Sequence, residues 1–338
     1  MAARFTYHEH LKEVQEDPAL AALWAAQTAP FDRLAWFAGM VEDCHLAPLF
    51  AIAREGAEIA ILPLARRRDY LTDLGNFYAF WFRPILSADG GALLPALARD
   101  LRRRHARIQL ASLPAEDGTA ALVADAFRAS GWLVCAGDDL PNHILEVGGR
   151  SYAEYLAGRP GKLRSTIKRK AGKLTIELID RFAEEVWNTY EDIYANSWKP
   201  AEFQPEFLRN FGRREGAAGR LRMGIARAGG VPVAAQLWTV ESGTAYIHKL
   251  SHTGESAALS PGTVLSAALF ERVIDHDRVS RIDFGTGDDG YKPDWMESIR
   301  QRVGFDLIDP RRPRNWAAIA KHSVRRARRR LALTRPAG

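Results

Sequence analysis

The stretch RIDFGTGDDGYKPDWM, Arg281 to Met296, concentrates side chains able to do chemistry. Gly285, Gly287 and Gly290 spell G-x-G-x-x-G behind a strand-like segment, a spacing that can cradle a pyrophosphate when the loop opens a helix inside a strand–helix–strand unit. That reading fails on its context. Asp288 and Asp289 inside the loop repel a diphosphate, Pro293 follows at once, and too little chain remains for a dinucleotide domain. The acids also lack the spaced ladder and closing Glu of a calcium loop, so no metal is expected. What remains is a polar turn carrying three carboxylates (Asp283, Asp288, Asp289), a phenol (Tyr291) and an ammonium (Lys292).

Two histidines precede it. His248 lies in TAYIHKLS and His252 in the following loop, and imidazole titrates near neutral pH. Strand alternation predicts Tyr246, His248 and Leu250 on one face, with Ile247 and Lys249 on the other. His248 is the first candidate for a general base and His252 the second.

The elements that position these groups follow from periodicity and breakers. Residues up to about 28 read as helical. HLAPLFAIAREGAEIAILPLARRRDYL predicts two strands turning at Glu55–Gly56. GGALLPALARDLRRRH and AEDGTAALVADAFRASG predict helices around the strand ARIQLASL, and WLVCAG and HILEVG continue an alternating α/β pattern. A break near residue 150 opens a second half that begins with helices only. Three strands then form a meander (LRMGIARA, VPVAAQLWTV, TAYIHKLS), followed by a loop, the helix TVLSAALFERVIDHD, the strand RIDF and a last strand, RVGFDLID. The first half is a looser version of the same order, with no sequence repeat.

The 338 residues are 47% hydrophobic and 26% charged, the composition of a globular chain of one or two domains. No apolar run suffices for a membrane span or a signal core, so a cytoplasmic chain with reduced Cys44 and Cys135 is expected. The net charge of +6 is unevenly spread. Residues 310–338 hold ten Lys/Arg and no Asp/Glu, leaving 37 basic and 41 acidic residues elsewhere, a net of −4. The basic tail, with Trp316, Ile319, Val324, Leu331 and Leu333 interspersed, reads either as a solvated tail or as an amphipathic helix on an anionic membrane face. A second basic run spans Lys162 to Lys173 and suits a solvated helix, or one that meets a phosphate, an anionic headgroup or tRNA.

Together, GGVPVAAQLWTV, GTAYIHKLSHTGESAALSPGTVL and IDFGTGDDGYKPDW resemble the CelD/BcsL-like (BioF2-like) branch of the GNAT acyltransferase superfamily, which is related to the Fem peptidyltransferases. The match rests on Ser260–Pro261–Gly262, on Asp283–Phe284–Gly285, on Gly287–Asp288 with Tyr291–Lys292, and on Ser197–Trp198–Lys199. The resemblance implies two GNAT-like α/β halves with mixed sheets flanked by helices. The expected divisions are a degenerate half at 1–150, an acyltransferase half at 151–309 and the tail at 310–338. It further implies acyl transfer from a thioester, acyl-CoA, to an amine. GESAALSPGT stands where such folds hold the CoA pyrophosphate, so Ser260, Gly262 and Thr263 at a helix start are expected to bind it, with Lys292 on a phosphate. The usual Q/R-x-x-G-x-G/A signature is absent.

Amine attack on a thioester needs the amine neutral, the oxyanion stabilised and the thiolate protonated. The catalytic expectations are His248 or His252 as base, Asp288 on the amine and Tyr291 on the leaving thiolate or the acceptor; Trp198, Lys199 and Asp283 are expected around the acceptor. Two acceptor classes fit the resemblance: amino sugars of exopolysaccharide precursors, and long-chain amino lipids such as the sphingoid bases used by a bacterial ceramide synthase. The competing readings are Fem-type transfer from aminoacyl-tRNA to a peptidoglycan precursor, and a non-enzymatic adaptor for nucleic acid or membrane.

Overall fold

A computed structural model of the chain describes residues 3–333, the side chains at 138 and 326–333 excepted. In chain order its strands are β1 (Arg4–His8), β2 (Pro48–Glu55), β3 (Glu58–Arg66), β4 (Leu71–Asp73), β5 (Ile85–Leu86), β6 (Arg107–Pro114), β7 (Leu133–Glu146), β8 (Thr175–Ile179), β9 (Leu221–Ala228), β10 (Val231–Glu241), β11 (Thr244–His252), β12 (Arg281–Thr286) and β13 (Ser298–Ile308). The described residues divide into two compact units, one of residues 3–27, 31–140 and 301–333, the other of 28–30 and 141–300.

The first unit builds a mixed sheet in the order β1-β2-β3-β4-β6-β13. Its first four strands are antiparallel, β4 and β6 are parallel, and β13 runs antiparallel to β6. The Leu94–Arg104 helix bridges the parallel pair and buries Leu94, Leu97, Ala98 and Leu101, a spacing that lines one face, while Arg102, Arg103 and Arg104 fill its last turn. That face packs on Leu49, Leu62 and Ile108 of the sheet and on Val123 and Phe127 of the Thr119–Ala129 helix.

The second unit repeats the scheme as β8-β9-β10-β11-β12-β7. Four antiparallel strands precede the parallel pair β11–β12, the Pro261–Glu271 helix bridges that pair, and residues 142–146 of β7 close the edge antiparallel to β12. The core on the bridging-helix side holds Ala245, Ile247, Trp238, Leu265, Leu269, Phe270 and Trp295. In each unit, therefore, one sheet strand is supplied by a distant part of the chain: 301–308 beside β6 in the first, 141–146 beside β12 in the second.

Two strands depart from the sequence expectations. Arg4–His8 is a strand inside text read as helical, and Thr175–Ile179 is a strand where only helices were expected. Both are edge strands with largely exposed or half-exposed side chains, so neither carries the clear apolar alternation of a half-buried strand. WLVCAG and HILEVG form one strand, β7, in place of two. The basic tail forms the Trp316–Leu333 helix, and residues 334–338 lie outside the described part.

Candidate active site

The site begins with how β11 and β12 part company. They pair only from Thr244↔Arg281 to Tyr246↔Asp283. Beyond this, β11 stays with β10 while β12 runs on toward Thr286 beside Asn142, so the strands splay and the β11 edge facing β12 loses its strand partner. The start of the Pro261–Glu271 helix lies against this end of β11, where a Cβ on Gly262 would stand 3.5 Å from the His252 ring.

A bulge in β11 corrects the expected alternation. Leu237 pairs with Lys249 but Trp238 pairs with Ile247, which leaves His248 as the extra residue. His248 and Lys249 consequently turn to the same face as Tyr246. His248 Nε2 shares a 2.8 Å hydrogen bond with Thr239 Oγ1, and its ring packs edge-on against Phe211. Lys249 is buried against Glu202 at 2.7 Å. Past the bulge, Leu250 and His252 turn toward the bridging helix and line a cavity of about 270 Å³, together with Trp198, Ser260, Gly262, Thr263, Ser266, Tyr291 and Trp295.

The local chemistry of this cavity is well defined. Ser260 adopts a left-handed conformation (φ 51°) and precedes Pro261 at the helix start. Its carbonyl accepts from Val264 N–H, so the amides of Gly262 and Thr263 remain in the first turn, where a helix offers free donors and a positive dipole end. Gln236 fixes this turn from β10: its Nε2 donates to Gly262 O (3.0 Å) and Ser266 Oγ (2.8 Å), and its Oε1 accepts from Trp238 Nε1 at 2.9 Å. At the back of the cavity, Trp295 stacks on Phe270, which stacks in turn on Tyr155.

His252 Nδ1 lies 2.9 Å from the Thr253 carbonyl and can only donate there. In the neutral ring the lone pair is therefore on Nε2, the tautomer a base requires. Trp198, 57% exposed, packs against this ring with centroids 4.4 Å apart. Tyr291 shares the cavity, and burial with the nearby Asp289 raises its phenol, which stays protonated at neutral pH and able to donate.

Other expected residues are held elsewhere. Asp283 is 1% exposed and accepts from Asn142 Nδ2 (2.7 Å) and Gly285 N–H (2.8 Å), fastening β12 to residue 142. Lys292 is likewise buried, donating to Thr286 O and Gly287 O and pairing with Asp289, so its ammonium closes its own loop and is not presented to a phosphate. Gly285 and Gly287 have positive φ (69° and 105°), which is why that turn requires glycine. Asp288 is exposed, 3.6 Å from the buried His143. Lys199 lines a separate cavity of about 430 Å³ with Trp187, Tyr190, Tyr194 and Glu202; burial, then Lys249, pushes its ammonium down to about 8.

Gln236, Leu250, Ser266 and Trp295 were missed as site residues. Only the buried Gln in an otherwise apolar strand, VPVAAQLWTV, was a readable signal, because a polar group there demands partners. Among the described residues, no group of three or more His, Cys, Asp or Glu could hold a metal ion, and no helix is long and apolar enough to cross a membrane.

Residues 157–293 match the family described as "Acetyltransferase (GNAT) domain". No curated protein matches the sequence. Among solved structures the fold is similar to FemX, with a TM-score of 0.62 at 11% identity, covering 91% of this chain and 98% of that one. It is also similar to the C-terminal domain of a putative lysylphosphatidylglycerol synthetase from Agrobacterium fabrum (0.57, 12%, 93% and 96%). A tandem GNAT protein from the clavulanic acid biosynthesis pathway is similar too (0.56, 15%, 92% and 100%). The repeated strand order is thus that of two GNAT-like halves. The chain carries a GNAT-type acetyltransferase domain and is an acyltransferase.

Proposed function

We propose that the chain transfers an acyl group from acyl-CoA to the amine of a membrane-associated acceptor, with His252 as general base. The observation that carries this reading is the single cavity joining the free first turn of the Pro261–Glu271 helix, the His252 ring and the Tyr291 phenol. The Gly262 and Thr263 amides receive the CoA pyrophosphate. His252 Nε2 takes the proton of the attacking amine as the C–N bond forms. The C–S bond then breaks, and Tyr291 returns a proton to the thiolate. The splayed edge of β11 offers backbone donors to the thioester oxygen.

The membrane-associated acceptor, an amino lipid or an amino sugar on a precursor, is supported by the Trp316–Leu333 helix. Trp316 and Val324, two turns apart on it, are 61% and 53% exposed beside a run of arginines. A Fem-type aminoacyl-tRNA donor is the second reading. It is favoured by Lys162, Arg164, Lys168, Arg169 and Lys173, which are exposed and form no ion pair among the described residues.

Thermal unfolding with acetyl-CoA, a long-chain acyl-CoA and bulk tRNA tests the proposal. A ligand at a hundred times its Kd stabilises by about 2.7 kcal/mol when it binds only the folded chain. A larger shift with long-chain acyl-CoA supports lipid N-acylation, and one with acetyl-CoA supports amino-sugar acetylation. A shift with tRNA alone sinks the acyl-CoA reading.

A further inference from the structure

The first unit holds a further cleft, of about 690 Å³, which the acyl-transfer reading leaves unused. One wall is the sheet, with Arg107, Gln109 and Asp306, and the other is the Trp316–Leu333 helix with the turn before it. Its charge is strongly one-sided. Arg107, Arg314, Lys321, His322 and Arg325 line it, against the one carboxylate of Asp306.

That carboxylate is already neutralised. Arg107 grips both its oxygens (Nε–Oδ1 2.7 Å, Nη2–Oδ2 2.6 Å), and His322 Nε2 lies 2.7 Å from Oδ2. Arg314 and Lys321 have no ion-pair partner among the described residues, although both border this same concavity. Both cations are therefore available to an anion that enters the cleft. The floor is small: Gly137 and Gly304 meet so closely that a Cβ on Gly137 would stand 3.2 Å from the Gly304 backbone. Together with Ala111, Ser112, Ala317 and Ala318 they leave room for a ligand body beside the charges.

We propose that this cleft binds a phosphate-bearing amphiphile, with Arg314 and Lys321 on the phosphate and Leu140, 41% exposed, with Ala317 against its apolar part. Arginine's planar fork and lysine's point charge both suit phosphate oxygens. A nucleic-acid duplex is too wide to enter a cleft of this volume.

Calorimetric titration of the full chain decides the matter and needs no turnover. The probes are dihexanoyl phosphatidylglycerol below its micellar concentration, inorganic pyrophosphate, and dihexanoyl phosphatidylcholine, whose headgroup has no net charge. Saturable one-to-one binding of an anionic probe, weakened at least tenfold in Arg314→Gln/Lys321→Gln, is expected. Lys162→Gln/Lys168→Gln in the second unit should leave it unchanged. Tighter phosphatidylglycerol than pyrophosphate is expected and assigns a lipid headgroup, whereas equal or tighter pyrophosphate overturns the apolar contact and with it the amphiphile. The proposal is overturned if neither anion binds, if phosphatidylcholine binds equally, or if the two double variants weaken binding alike. Both substituted pairs are exposed, so an unchanged melting temperature will show that the fold is intact.

Discussion

His252 owes its suitability as a base to one backbone contact. With Nδ1 committed to the Thr253 carbonyl, the neutral ring keeps its lone pair on Nε2. His252→Gln should lower kcat by roughly a hundredfold or more while leaving the donor's Kd within a few-fold. His248→Gln, which loses the Thr239 contact and not a cavity-lining group, should change kcat far less; equal losses in steady-state assays would contradict the assignment. Lys199 offers a separate check. Its folded pKa of about 8 lies below the ordinary 10.5, so the unfolded chain binds more protons between those values and stability rises with pH across that window. Below pH 8 the cost of this half-buried charge is fully present. Lys199→Met should therefore melt higher than the parent at pH 7, with the gap narrowing toward pH 10 in thermal scans at both values. A gap independent of pH would mean that the charge is not what Lys199 costs. At this scale the sequence was partly legible. Ser260, Gly262, Thr263, His252, Tyr291 and Trp198 meet in one cavity, whereas Asp283 and Lys292 are buried in their own turns, because residue type alone does not say whether a charge faces a ligand or staples a loop.

Among the elements, the bulge at His248 decides which strand residues reach the cavity. Without it, strict alternation would keep Leu250 and His252 on the face of His248. No residue in TAYIHKLS announces it, since a bulge shows only in the register with β10. The start of the bridging helix depends equally on a neighbour. Gln236→Leu would leave the Trp238 indole N–H without its acceptor and free Gly262 O and Ser266 Oγ of their donor. We expect a loss of about 1–3 kcal/mol in denaturant unfolding. Weaker binding of CoA should accompany it; a destabilised variant with unaltered CoA affinity would detach the helix start from the donor site. The order of elements in the second half was readable from turn residues and apolar spacing, and the two strands that escaped, β1 and β8, are edges whose exposure erases the alternation that marks a strand.

For the whole molecule, residue 151 had looked like a natural start for the second half, and composition favours it. The second unit nevertheless includes residues 141–146, which pair with Arg281, Ile282, Asp283 and Thr286. A fragment of residues 141–300 should unfold cooperatively in denaturant, whereas 151–300 should not, because β12 would have an open edge and Asp283 would lose Asn142. Cooperative unfolding of the shorter fragment would show the edge strand to be dispensable. Long-range strand pairing of this kind leaves no local trace in a sequence.

That pairing also sets an order in time. The first unit needs residues 301–308 to close on β6, so its N-terminal strands leave the ribosome long before their last neighbour has been translated. The exposed edge of β6 must wait through the synthesis of the entire second unit, which can complete its own sheet in the meantime. The half that is made first is thus the half that finishes folding last.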